Sequence, residues 1–319
     1  MNIMGNPNPL ITIVVSTYNS SKFVLETLES AKAQTYQNIE LIVSDDCSTD
    51  NTVEVCRRWI DENKDSFART ELITVEKNTG VSANCNRGRR AAKGEWIKGI
   101  GGDDILMEDC IRWNYEHVSK NSEIKILQSN NLIIDEASNI IGKTNSIHYF
   151  YSDKISAKEQ HRILLFTYRG NTPTLFVKRA FFDNGFVYDE AIRNMEDYQM
   201  YLRLTASGEK IHFFDKHTVK YRKNTCSVQH DLGKNSKIVK SFRLDGVVLR
   251  KKYILPYLKG INKLIASYVN YIVIKFIPSK CNKNNFWGRT IWFILYLPYF
   301  IYSNFYVKVY VLCRKKKKL

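Results

Sequence analysis

The sequence predicts an α/β fold built on a mostly parallel, Rossmann-like sheet, and two observations carry that expectation. Short β-branched apolar runs alternate with amphipathic stretches of helical length through the first third of the chain. Polar and acidic clusters follow several of these runs, where strands would end. Strands alternating with helices make βαβ units, whose parallel sheet is covered on both faces.

Leu10–Ser16 (LITIVVS) has the unbroken apolar character of a buried strand. Phe23–Thr35 follows with Phe23, Leu25, Leu28 and Ala31 recurring as a helix face, and Asn19, Ser20 and Ser21 ahead of it suit helix capping. Ile39–Ser44, Leu72–Val75 and Trp96–Ile100 read as further strands, with helices over Thr52–Asn63 and Val81–Ala92. Beyond Asp104 the pattern is mixed. A helix is expected over Met107–Asn121, one or two strands within Ile124–Ile134, and helices over Ser156–Thr167 and Asp197–Ala206. Lys210–Phe214 and Thr218–Arg222 read as two short strands. These divisions predict a core domain over residues 1–230, ending near Ser227, and a helical extension over 231–319 that begins with Ser236–Leu258.

Charge is distributed unevenly. The net charge is +16, yet from Gly246 onward there are 15 Lys/Arg and no Asp or Glu, so the first 245 residues are almost neutral. The same tail holds 16 of the 40 aromatic residues. A neutral body with a basic, aromatic end argues against a nucleic-acid partner. The seven cysteines (47, 56, 85, 110, 226, 281, 313) are scattered without a CxxC pair, which argues against a disulfide framework or a zinc site and for a reducing compartment. Met1–Pro9 lacks the basic and apolar halves of a signal peptide, so the body is expected in the cytoplasm.

Three acidic clusters carry the chemistry: Asp45-Asp46-Cys47-Ser48-Thr49-Asp50, Gly101-Gly102-Asp103-Asp104 and Glu196-Asp197. The first two, with Ser16-Thr17-Tyr18-Asn19, fall at predicted strand ends, where open α/β sheets gather their ligands. Acidic groups so placed can hold a nucleotide, a divalent cation on its phosphates, and the proton of an attacking hydroxyl. The pattern points to a transferase with a nucleotide-activated donor.

The stretch IVVSTYNSSKFVLETLESAKAQTYQNIELIVSDDCSTDNT, with NTGVSANCNRG, IGGDD and NMEDYQMYLRL, resembles family 2 glycosyltransferases of the GT-A fold, over roughly Leu10–Ser227. The resemblance implies a nucleotide pocket made by Thr17, Tyr18, Asn19, Asp45 and Asp46, with Asp46 preferred as the contact to the base. Asn78 and Arg87 belong to the segment beside the donor, Arg87 as the pyrophosphate candidate. Asp103 is implied at the ribose or the metal and Asp104 as metal ligand, with Mg or Mn as the expected cofactor. Gly101 departs from the pattern, because the family usually carries there the first Asp of its DxD-type motif. The ED pair implies Asp197 as general base and Glu196 orienting acceptor or metal; a single base opposite the leaving group gives inversion. Arg222 or Lys223 is the candidate to stabilise the leaving diphosphate, and Arg169–Thr174 falls where the family builds its acceptor pocket. The implied reaction moves a sugar, usually from UDP, to a saccharide or lipid-linked acceptor in bacterial surface-polysaccharide assembly.

Plain structural roles compete with several of these. Ser48, Thr49 and Asp50 can cap the Thr52 helix, and Glu196-Asp197 can serve a helix dipole. Ile291–Tyr302 is twelve apolar residues, about 18 Å of helix, against a hydrocarbon core of about 30 Å. With Asn262–Ile277 and the Arg314–Lys318 cluster, it suits an interfacial anchor at the cytoplasmic face of the membrane better than a single span. The alternatives are a nucleotidyltransferase, which would show a Gly-rich phosphate loop that STYNSS is not, and a non-catalytic membrane scaffold. Gly142-Lys143-Thr144 is P-loop-like only in part, with Ala137 where the first Gly belongs.

Overall fold

The computed structural model describes residues 8–145, 149–223, 236–276, 287, 290–291, 293–302 and 304–305. Its first half is the expected alternation: β1 (Ile11–Thr17), α1 (Val24–Lys32), β2 (Ile39–Asp45), α2 (Thr52–Asn63), β3 (Arg69–Ile73), α3 (Val81–Ala91) and β4 (Trp96–Gly101). β5 (Ile105–Leu106), α4 (Cys110–Val118), β6 (Ile126–Ile134), β7 (Ile140–Lys143), α5 (Ala157–Leu164), β8 (Phe176–Lys178), α6 (Ala180–Asp183), α7 (Glu196–Ala206) and β9 (His212–Arg222) follow. The sheet runs β3-β2-β1-β4-β8-β6-β9-β5, with β7 on the flank of β6. It is parallel from β3 to β4 and mixed beyond: β8 runs antiparallel to β4 and β6, while β6 and β9 are parallel.

Alternation along β1 builds the two core layers, because successive side chains of a strand face opposite ways. Ile11, Ile13 and Val15 join Val24 and Leu28 of α1 and Trp59 of α2 on one face. Val14 joins Ile163 and Leu164 of α5 and Met200 and Leu204 of α7 on the other. The register pairs Thr17 with Asp45 and Ser16 with Gly101, so the carboxyl ends of β1, β2 and β4 come level. That edge is where the site lies.

Several elements differ from the sequence expectation. β9 is one strand, not two: the exposed Asp215-Lys216 pair reads as a break, but register shifts against β6 absorb it and Asn130 bonds the Asp215 carboxylate at 2.6 Å. α4 begins at Cys110 because Ile105–Leu106 is taken up by pairing with β9. Gly142 and Lys143 lie in β7, so the P-loop-like fragment is a strand rather than a phosphate loop. The boundary near Ser227 lies outside the described residues. The extension contributes α8 (Ser236–Leu249), a π-helical turn over Arg250–Ile254 and α9 (Gly260–Phe276), with α9 packed on α8 through Val247, Val269 and Val273. Among the described residues no helix is long and apolar enough to cross a membrane.

At the opposite edge, the fully buried Glu40 accepts from Thr12 Oγ1 at 2.5 Å, from the Lys93 amide at 2.7 Å and from Arg69. Burial pushes its carboxyl up, but the Lys93, Thr12 and Arg69 hydrogen bonds outweigh that and hold it below the usual range. A depressed carboxylate contributes stability above its unfolded pKa of about 4.3, lost as pH falls through the lower folded value. Glu40→Gln is therefore expected to destabilise the fold by about 1–3 kcal/mol at pH 7, with the gap in melting temperature to the parent narrowing toward pH 3.

Candidate active site

Two adjoining cavities open along the carboxyl ends of β1, β2 and β4, of about 710 and 460 Å³, and both are lined by Ser16, Val81 and Asn194. The smaller is also lined by Thr17, Tyr18, Asp46, Asn78, Gly80 and Arg193. The larger contains Asp103, Asp104, Glu196 and Asp197 together with Tyr168, Thr172 and Lys223.

The acidic pair after β2 is divided in role. Asp45 accepts from Thr17 Oγ1 at 2.8 Å and from the Ser48 amide and hydroxyl at 2.8 and 2.5 Å, which fixes the turn out of the strand. Asn19, with φ of 50°, is tied to the same turn: its Oδ1 accepts from the Thr49 amide and its own amide donates to Ser48 Oγ. Neither Asp45 nor Asn19 lines either of these two cavities. Asp46 does, while accepting from the Thr79 amide and hydroxyl, the Gly80 amide and Arg87 at 2.6–3.0 Å. Burial pushes the Asp46 carboxyl up; the Thr79 and Arg87 bonds prevail and hold it below the usual range. The loop it ties passes through Gly80 at φ of +95°, a conformation suited to glycine. Arg87 reaches Thr79 Oγ1, Asp46 and Asn84 Oδ1 at 2.7, 2.7 and 3.1 Å, and it lines neither cavity. Its guanidinium is engaged behind Asp46. Tyr18 is half exposed over the smaller cavity, and Asn78 sits at its rim, bonded to Arg193 at 3.2 Å.

In the larger cavity Asp104 is buried and accepts the Arg222 backbone N–H at 2.9 Å. Burial and the adjacent Asp103 push its carboxyl well up, eased by the Arg222 amide and the buried Lys98. A Cβ at Gly101 would stand 2.9 Å from Asp103 Oδ1, so the missing first acid leaves the space that the Asp103 carboxylate occupies. Among the described residues no group of three or more His, Cys, Asp or Glu could hold a metal. Two adjacent carboxylates in a negatively strained position nevertheless fit a hard cation that takes its other ligands from phosphate oxygens and water.

Arg222 likewise lines neither cavity. Its side chain is buried, donating to Asp103 O, Asp135 O, Ser138 Oγ and Glu26 at 2.8–3.0 Å, and its plane lies over Phe23. Neighbours on a strand point to opposite faces, and the cavity face carries Tyr221 and Lys223.

Glu196 and Asp197 open α7. Asp197 Oδ2 accepts from the hydroxyls of Tyr168 and Thr172, and Oδ1 from the Tyr198 amide at 2.6 Å. Burial and the Asp197 charge push Glu196 up to about 8. Thr172 lies in a 3-10 turn, Thr172–Thr174, whose Pro173 carbonyl accepts from the ammonium of Lys98, fully buried on β4. The RGNTPT stretch thus enters the site as the support of Asp197.

Sequence reasoning missed Lys98, Arg89, Tyr188 and the part played by α8. Asp245 accepts from the amide and the side-chain Nδ2 of Asn194, both at 2.8 Å, and Ser241 Oγ accepts from Nδ2 at 2.8 Å. Ser241 lines the smaller cavity and Phe242 the larger. Asp245 is the last acidic residue before the acid-free tail, the signal that could have marked it. Asp245→Ala is expected to lower stability by about 1–3 kcal/mol, because it leaves the half-buried Asn194 donors without their acceptor; the fall in melting temperature checks this.

The fold is GT-A. A structure of Staphylococcus aureus TarS residues 1–349 in complex with UDP-GlcNAc superimposes with a TM-score of 0.59 at 17% identity, covering 91% of this chain and 80% of that one. The mannosyltransferase PcManGT of Pyrobaculum calidifontis, in complex with GDP-Man and Mn2+, gives 0.57 at 14% identity over 96% and 86%. The chondroitin synthase of Escherichia coli is 29% identical over 201 residues, 63% of this chain, and the chain matches only 27% of that protein's length. The model of glycosyl transferase family 2 matches residues 12–185, more than half of the chain. The protein belongs to glycosyl transferase family 2.

Proposed function

We propose that the protein transfers a sugar from a nucleoside-diphosphate sugar, with UDP as the nucleotide, to a hydroxyl of a saccharide or lipid-linked acceptor in surface-polysaccharide synthesis, with inversion. One observation carries this reading: Asp103, Asp104, Glu196 and Asp197 line a single cavity that adjoins the one lined by Thr17, Tyr18 and Asp46. The nucleoside lies in the smaller cavity under Tyr18 and the diphosphate and sugar extend into the larger. Asp197 takes the acceptor hydroxyl proton as the new C1–O bond forms and the bond from C1 to the phosphate oxygen breaks, its electrons leaving with the diphosphate. Tyr168 and Thr172 hold the Asp197 carboxylate in place for that step. Lys223 meets the growing charge of the leaving diphosphate. Asp103 and Asp104 would hold Mg or Mn, which when bound neutralises phosphate charge. The complexes with UDP-GlcNAc and with GDP-Man and Mn2+ in similar folds support a nucleotide-sugar donor and a cation. No phosphate loop favours the nucleotidyltransferase.

Asp197→Asn is expected to cut transfer by roughly 10²–10⁴-fold while UDP binding persists. Glu196, raised to about 8, carries its proton at neutral pH and loses it above, so Glu196→Gln should abolish the limb near pH 8 in the pH profile of kcat. Unaltered transfer by Asp197→Asn removes it as base.

The extension supports a second part of the proposal, docking at the cytoplasmic face of an anionic membrane. Ile261, Leu264, Tyr268, Tyr271 and Ile274 recur at three- and four-residue steps along α9 and are all exposed, on the side away from Val269 and Val273. An apolar helix stripe in a tail of 15 basic and no acidic residues suits the lipid interface, each charge near the surface adding about 1 kcal/mol. Arg314–Lys318 lies outside the described residues. The double variant Leu264→Glu/Tyr271→Glu is expected to lose most co-sedimentation with phosphatidylglycerol vesicles; unchanged partitioning would leave the stripe without this role.

A further inference from the structure

Arg89 is nine-tenths buried and lines the larger cavity, yet Nε and Nη1 have no hydrogen-bond partner. Its guanidinium carbon stands 4.1 Å from the ring centre of Tyr188 and 5.2 Å from that of Phe182. Among the described residues its near partners are Tyr188 and Cys85, no carboxylate forms an ion pair with it, and Glu196 acts on it only through space. Its surroundings hold the guanidinium charged while two of its nitrogens stay without a partner in the cavity wall, which favours an anion that arrives with a ligand. Tyr188, also buried in the lining, faces Arg89 with its phenolic oxygen as well as its ring, and that oxygen has no partner beyond the guanidinium.

Position says which part of the ligand reaches them. Val81, Cys85 and Arg89 recur at four-residue steps, so they share one side of α3, and all three line the larger cavity while Val81 lines both. From Val81 to Arg89 the helix advances about 12 Å, the scale of a diphosphate and a hexose laid end to end. The diphosphate has its own partners in Lys223 and in the cation that Asp103 and Asp104 would hold. Gly99 lies against Arg89, where a Cβ would stand 3.3 Å from Nη2, and it also lines the cavity. A planar guanidinium is matched by a carboxylate, which takes two N–H groups at once; a neutral hydroxyl would leave the charge unpaired.

We infer that Arg89 and Tyr188 form a carboxylate-recognising subsite at the sugar end of the cavity, and that the donor is a nucleotide-linked acidic sugar of the uronic acid class. This rests on the nucleotide-sugar reading above. The test is calorimetric binding by the full chain of two donor pairs, UDP-glucuronate against UDP-glucose and GDP-mannuronate against GDP-mannose. Within each pair the sugars differ only at C6. The acidic member of the pair with the right nucleotide should bind at least tenfold tighter, and Arg89→Gln should bring the two to parity. Tyr188→Phe, which keeps the ring and removes one O–H, should lower the preference severalfold and serves if Arg89→Gln fails to fold. A preference seen only for free glucuronate over glucose on the UDP-loaded protein keeps the subsite and moves its carboxylate to the acceptor. Equal affinities within both pairs, with no such glucuronate preference, overturn the subsite and leave the transferase reading intact. Failure to bind any of the four sinks that reading and the subsite together.

Discussion

Packing negative charge against the ends of a buried parallel sheet is the constraint that the rest of this structure answers to. Five carboxylates, Asp46, Asp103, Asp104, Glu196 and Asp197, line two touching cavities, and each ionised group withdrawn from water is costly unless paired. The chain deals with them unequally. Asp46 is saturated by Thr79, Gly80 and Arg87 and stays ionised. Asp104 and Glu196 are under-compensated, and burial drives both toward the protonated form. Saturated carboxylates make walls; under-compensated ones are where a cation or a proton still has work to do. Perturbed groups in a cleft mark a functional site for that reason.

The support of Asp197 shows how far such a site reaches into the core. Thr172 holds its carboxylate, the turn carrying Thr172 is tied through Pro173 to Lys98, and Lys98 sits on β4 between the two core layers. A buried lysine that spends its donors on carbonyls acts as a strut between the central strand and the acceptor side. The same ammonium lies close enough to Asp104 to ease its charge, so one core residue serves two of the three acidic clusters.

Much of the fold was legible because its signals are local. The apolar runs of β1, β2 and β4 and the helix of Thr52–Asn63 came within a residue or two of the observed spans. What escaped depends on contacts distant in sequence. β8 is three residues long and exists only through pairing with β4 and β6. The basic residues were the least readable: Arg87 and Arg222 line neither cavity, whereas their neighbours along helix and strand, Arg89 and Lys223, line the larger one. One step along a strand, or two along a helix, turns a side chain from ligand to core. Side-chain direction within the motif segments had to come from the packing.

The bond between Asp245 and Asn194 has a further consequence. α8 follows the last sheet strand in the chain, yet it braces Asn194, one of three residues common to both cavities, and α9 rests on α8 in turn. A minimal form excised after the last sheet strand would keep every motif of the family and lose that brace. Grafting this core onto another C-terminal region would need an acid supplied at the same spot.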